Sequence, residues 1–288
     1  MDFSTFLIQL LNSFQYGLLL FLVASGLTLI FGIMGIINLA HGSFYMMGAY
    51  MAFSLTALSG NLLVAIIVGV ALSVLIGFLL EWALFSRLYK RDHLDQVLLT
   101  YGLILIFEEL RSLLVGDDVH GVPIPELLSA SIQLSETLSY PVYRLFMSAV
   151  CILLAIVMYW LIRHTRLGMM IRAGSSNREM VQALGINIDL IYRIVFGLGV
   201  TLAAFAGMLA APVSSVYPGM GNQVLIICFV VVVIGGVGSV WGALVAALLI
   251  GLADTFGKVI APDYAGLAVY VLMAAVLLWR PEGIFRRI

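Results

Sequence analysis

Polar side chains are rare in this sequence, and chemistry could be done only where they gather. Asn38, His41 and Ser43 interrupt an apolar run, with Gly35, Gly42 and Gly48 around them. An amide, an imidazole and a hydroxyl can hydrogen-bond the polar end of a small solute. In hydrocarbon such groups are costly unless they are paired or face a cavity. Two readings stand: a hydrogen-bonded packing site with glycines for close helix approach, or the lining of a translocation path that touches the solute. His41 has no second ligand at helical spacing, so no metal site is expected. The run Gly235-Gly236-Val237-Gly238-Ser239 offers backbone rather than side chains. It reads as a tight turn between short helices, or as a gate in which Gly236 and Gly238 expose backbone groups to the solute. Helix N-termini would suit the carboxylate of a zwitterion there.

A third group is basic. Residues 163–189 carry Arg163, Arg166, Arg172 and Arg178, with Glu179, Ala183 and Gly185 among good helix formers. Ser176 or Asn177 offers an N-cap and Gly185 a residue past the C-terminus, so a short amphipathic helix is expected over 177–184. It reads as a surface connector or as a docking helix for a cytoplasmic partner. Single charges also stand inside apolar runs: Glu81, Glu108, Glu109, Arg111 and Asp254. Glu108 and Arg111 are spaced for a local ion pair on a helix. Glu81, about a turn and a half before Arg87, reads as a structural pair or a snorkelling carboxylate, and Asp254 as a solvated interfacial group. Cys151 and Cys228 lie in apolar runs without C-x-x-C or zinc spacing and read as inert core residues. There is no H-E-x-x-H, no G-x-S-x-G and no suggestive carboxylate pair. No catalytic residue is therefore assigned, and no cofactor is expected in this chain.

The elements that position these residues must be membrane helices. Of 288 residues, 63% are hydrophobic and 10% charged, against about 25% charged in a soluble domain; mean hydropathy is +1.14. Such a chain cannot cover its own surface in water, so membrane lipid must be its solvent. A spanning helix needs about 20 apolar residues. Spans are expected over 6–31, 33–58 (with the polar interruption inside it), 62–85, 97–115, 142–162, 190–211, 223–236, 240–255 and 265–279. The 223–257 stretch is split because clustered glycines favour a break. The expectation is an all-α polytopic membrane protein of about eight or nine transmembrane or broken helices, one domain over 1–288 with the 163–189 segment within it.

Arg87, Lys90 and Arg91, then Arg163, Arg166, Arg172, Arg178 and Arg193, then Arg280, Arg286 and Arg287 make up most of the 14 basic residues. The span list puts all three groups on one side, which the excess of Lys and Arg in short loops makes the cytoplasm. The C-terminus and 163–189 then face inward. The acidic 116–140 loop and the N-terminus face outward. No cleavable signal peptide is expected, because a basic n-region is missing and the first apolar run is too long. Basic residues that hug the bilayer argue against nucleic acid.

Glu179 followed by Gly185 resembles the EAA-type coupling loop of ABC importer permeases, with Met180 and Val181 in place of the two alanines. Gly35-Ile36-Ile37-Asn38-Leu39-Ala40-His41-Gly42 with 44–50, the stretch from Arg172-Ala173 to Gly185-Ile186-Asn187, Gly235-Gly236-Val237-Gly238-Ser239 and Arg280-Pro281-Glu282-Gly283 resemble the branched-chain amino-acid permeases. The length is similar to the shorter, LivH-type member of the usual permease pair. The resemblance implies a bacterial-type plasma (inner) membrane subunit with four kinds of company. These are a second homologous permease, two ATP-binding subunits that use ATP, an extracytoplasmic solute-binding protein and a small amino-acid substrate. It implies ATPase coupling through Arg172, Arg178, Glu179, Ala183 and Gly185. Urea and short-amide permeases share these motifs. Independently, there is no G-x-x-x-x-G-K-[ST] loop to cradle ATP phosphates; Gly257-Lys258 is followed by Val259. An ion-coupled secondary transporter is the alternative from another class. It accounts for broken spans and scattered carboxylates, and less directly for a basic docking segment.

Overall fold

The computed structural model describes residues 3–89, 91–135 and 138–285. Lys90, Arg286 and Arg287, used in the charge reading, lie outside the described residues. Among the described residues there are eleven α-helices: α1 (Phe3–Met34), α2 (His41–Ser59), α3 (Leu62–Ala83), α4 (His93–Val115), α5 (Val142–His164), α6 (Arg166–Ser176), α7 (Arg178–Ala183), α8 (Ile188–Ser214), α9 (Met220–Gly235), α10 (Val240–Ile260) and α11 (Ala265–Trp279). Of these, α1, α3, α5, α8 and α10 are long and apolar enough to cross a membrane. The protein is an all-α polytopic bundle.

A helix that is apolar on every side belongs in the interior, and α1 obeys this: residues 17–30 are all buried. It is the central post. Lipid gives no hydrophobic drive for helices to associate, so close backbone contact at small residues must hold them together. Gly17 of α1 meets Ala247 and Leu248 of α10, and a Cβ on Gly26 would sit 2.7 Å from the Gly199 carbonyl oxygen of α8. On its far side α8 packs the same way, Ala204 against Gly48 of α2 and Gly197 against Gly77 of α3.

The bundle has two distinct ends. One gathers the loop after α3, the α6–α7 segment, the turn after α9 and the chain after α11. Arg193 Nε donates to Glu81 Oε2 at 2.8 Å, Gly32 packs on Gly238, and Ile284 N donates to the Ile234 carbonyl at 2.8 Å. At the other end Asn12 Oδ1 accepts from Arg144 Nη1 at 2.8 Å and from the Tyr140 hydroxyl at 3.2 Å. His120 and Val216 exchange backbone hydrogen bonds there at 2.8 Å. The described basic segments therefore share one end, and the acidic 116–140 loop lies at the other, as the span list orders them.

Three local differences have physical reasons. The span read over 33–58 is not one helix: α1 runs on to Met34, the chain turns at Gly35 (φ +67°), and α2 starts only at His41. The basic segment holds an additional helix, α6, whose N-cap Thr165 accepts from Gly168 N at 3.1 Å. The polar loop contains a two-stranded antiparallel sheet, β1 (Ser131–Ser135) and β2 (Leu138–Pro141), with Ile132 opposite Tyr140. The split of 223–257 falls at the glycine cluster. Gly236 (φ +94°) and Gly238 (φ +80°) take backbone conformations that favour glycine, and Ser239 Oγ caps α10 by accepting from Gly242 N at 3.0 Å.

Candidate functional site

The interruption around Asn38 is a built turn deep in the protein. Asn38 Oδ1 accepts from Ala40 N at 3.1 Å and the Asn38 carbonyl accepts from His41 N at 3.3 Å, so the amide shapes the start of α2. Short polar side chains favour such local bonds. The turn folds back along α1: His41 Nε2 donates to the Val23 carbonyl at 2.9 Å, about three turns before α1 ends. Asn38 and His41 are fully buried and Ser43 nearly so. Asn38 Nδ2 and His41 Nδ1 have no hydrogen-bond partner among the described residues. Phe44, one turn on, stacks edge-on with Phe107 and Phe196.

A second helix also begins inside the protein. Gly221, at the start of α9, packs against Gly42, at the start of α2. Helix N-termini carry the positive end of the peptide dipoles, so two of them cross at the interruption. Gly236 and Gly238 do not join it. They lie at the end that carries α6 and α7, where Gly283 and Phe285 press against Gly236. The structure thus brings Asn38, His41 and Ser43 together and leaves the glycine cluster apart.

The basic segment is ordered by its own caps. Asn177 Oδ1 accepts from Met180 N at 3.0 Å to start α7, and Gly185 (φ +79°) turns the chain out of it. Buried Val181 anchors α7, while Glu179, Met180, Ala183, Leu184 and Gly185 are exposed. One short helix and the turn that ends it thus present an acid, two large apolar side chains and two small residues outward. Arg172 is turned the other way, donating to the Ile162 carbonyl at the end of α5. Arg178 lies over the rings of Tyr192 (5.1 Å) and Tyr89 (5.8 Å). Tyr89 in turn donates to Glu81, which Arg193 holds at 2.8 Å. Glu81 therefore pairs with Arg193 of α8 rather than with Arg87, and α7 is tied to α3 and α8 through aromatic rings.

Sequence reading missed a polar cavity of about 470 Å³ at the other end of the bundle, between α1, α2, α5, α8 and α10. Asn12, Gln15, Arg144, Asp254 and Lys258 face it. Tyr45, about one turn beyond His41, forms part of its wall. Asp254, expected as a solvated interfacial group, is only 13% exposed and is held at 2.6 Å by Lys258, which follows it at helical spacing. Glu108 and Arg111 pair at 3.2 Å as their spacing implied, and Arg111 also reaches Asp117 at 2.9 Å. That bond holds the Asp117 carboxyl below the usual carboxylate range.

A profile of the family described as "Branched-chain amino acid transport system / permease component" matches residues 9–277. The chain is 30% identical to the high-affinity branched-chain amino acid transport system permease protein BraD of Pseudomonas aeruginosa, over 98% of this chain and 96% of that one. It is 28% identical to LivH of Escherichia coli strain K12, over 99% and 97% respectively. It is 29% identical to the probable branched-chain amino acid transport permease protein LivH of Methanocaldococcus jannaschii, over 93% and 89%.

Proposed function

This chain belongs to the family of branched-chain amino acid transport system permease components, and from that membership we propose that it is the membrane-spanning subunit of an ATP-driven importer of leucine, isoleucine and valine. What carries this reading is that the likeness runs nearly the whole chain, through the Asn38–His41 interruption and the α6–α7 segment alike. A second permease of the same family completes the pathway. Two separate ATPase subunits supply the energy, and an extracytoplasmic protein delivers the solute. The chain itself is a transport subunit, with the ATP bound and hydrolysed elsewhere.

The exposed face of α7 supports the placement of the ATPase contact. Glu179, Met180 and Ala183 are exposed on a six-residue helix beside the basic loops, with Leu184 and Gly185 exposed just past its end, and the tie through Arg178, Tyr89 and Glu81 gives a push on α7 a route into α3 and α8. With this end in the cytoplasm, as the distribution of Arg requires, the polar cavity opens toward the outside. The test is uptake of radiolabelled leucine, isoleucine, valine and urea by vesicles holding the assembled complex, with and without ATP. ATP-dependent uptake of the three amino acids and not of urea is expected. Uptake that follows an ion gradient without ATP would overturn the reading, and uptake of urea alone would overturn its substrate.

A further inference from the structure

The polar cavity combines, in one place, the groups that a free amino acid needs. Asp254 is 13% exposed and Lys258, its partner at 2.6 Å, is 61% exposed. The lysine can swing to water on its long stem, while the carboxylate stays in the wall. Arg144 spends one nitrogen on Asn12 at 2.8 Å, and a guanidinium carries five donors. Gln15 is only 6% exposed and lines the cavity. Leu19, Met147, Val213 and Val259 give the same cavity an apolar side. Its volume of about 470 Å³ lies within the range of small-molecule sites, about 300–1,000 Å³. A carboxylate that is only 13% exposed is expensive to keep for packing alone.

We propose that this cavity is a resting site for an aliphatic α-amino acid on its way through the permease. Its ammonium joins Asp254, its carboxylate turns to Arg144 and Lys258 with Gln15 completing the hydrogen bonds, and its side chain lies on Leu19, Met147, Val213 and Val259. The site deepens the transport reading above and rests on it. A neutral amide such as urea satisfies Gln15 but not the separated charges, so the cavity selects a zwitterion. From there Tyr45 leads along α2 to the interruption at His41.

The test uses the assembled complex in vesicles. Asp254→Asn and Arg144→Gln should each lower leucine uptake about tenfold, the scale of one lost charge-assisted hydrogen bond, with the complex still assembled. A structural role for the Asp254–Lys258 pair is separated by exchanging the charges, Asp254→Lys with Lys258→Asp. A mere helix pair survives the exchange, whereas a zwitterion site does not, so uptake should stay low; recovery to the unexchanged rate overturns the proposal. Independently of uptake, Thr255→Cys places a thiol on the cavity wall, while Cys151 and Cys228 are buried. Leucine, but not urea, isopentylamine or isocaproate, should slow its labelling by an impermeant thiol reagent. Equal protection by urea, or no protection by leucine, overturns the site. If the unmodified complex imports no amino acid, both the transport reading and the site fall; if it imports leucine and the variants are unaffected, the site alone falls.

Discussion

The network at Glu81 makes a directional prediction. Glu81 has a fully buried side chain, whereas the side chain of Arg193 is 35% exposed. Removing the arginine strands a carboxylate inside the protein with only the Tyr89 hydroxyl for company. Burial, and then the bond to Glu81, push the Tyr89 phenol well above its ordinary pKa, so it remains a donor at any usable pH but supplies no charge. Stranding one member of a buried pair costs about 3–5 kcal/mol. Removing the glutamate instead frees an arginine that already reaches the surface, and the loss should be nearer the ~1 kcal/mol of an exposed pair. Replacing both by leucine leaves no buried charge, which is often close to neutral.

The expected order of stability is therefore wild type, Glu81→Leu and the double variant close together, with Arg193→Leu well below. At about 2–4 °C per kcal/mol for a chain of this size, Arg193→Leu should lower the unfolding midpoint by on the order of 10 °C and Glu81→Leu by a few degrees. A thiol-reactive dye follows this in detergent, because Cys151 and Cys228 are buried until the bundle opens. The reasoning fails if Glu81→Leu is as damaging as Arg193→Leu, or if the double variant is no better than Arg193→Leu alone.

Other positions give simpler expectations. His41→Ala removes the bond to Val23 and opens the turn at the start of α2, and should cut leucine uptake about tenfold with normal expression; uptake at the wild-type rate would remove His41 from the pathway. Gly48→Val puts a side chain into the backbone of Ala204, and overpacking against backbone should destabilise by more than about 3 kcal/mol, read as loss of a monodisperse peak in detergent. Glu179→Ala and Gly185→Val should weaken co-purification of the ATPase subunits, the second through the φ of +79° that only glycine takes readily. Normal association and uptake in both would move the contact off α7.

What the sequence made legible follows from the length over which each signal is written. Apolar runs of about 20 residues announce themselves, so the long helices stood out. The break at 236–239 did too, because three of five neighbouring residues are glycine. The start of α2 was blurred for the opposite reason. Ile36, Ile37, Leu39 and Ala40 keep the stretch apolar, and only Gly35 and the local bond of Asn38 end the helix. Glu81 looked for a partner along the chain and found Arg87, whereas the fold supplies Arg193 from another helix. The cavity lies further still from what one chain can show. Asn12 and Gln15 of α1, Arg144 of α5 and Lys258 of α10 are polar residues from three separate runs, each explicable alone as an end of a helix meeting the interface. Only packing puts them in one wall. Asp254 is the instructive case: its partner stood four places on and was readable by helical spacing. What spacing could not tell is that the pair faces a cavity with an arginine and a glutamine beside it. In a chain this apolar, the bilayer makes lone polar residues expensive. Their meaning is therefore set by which of them the helices bring face to face.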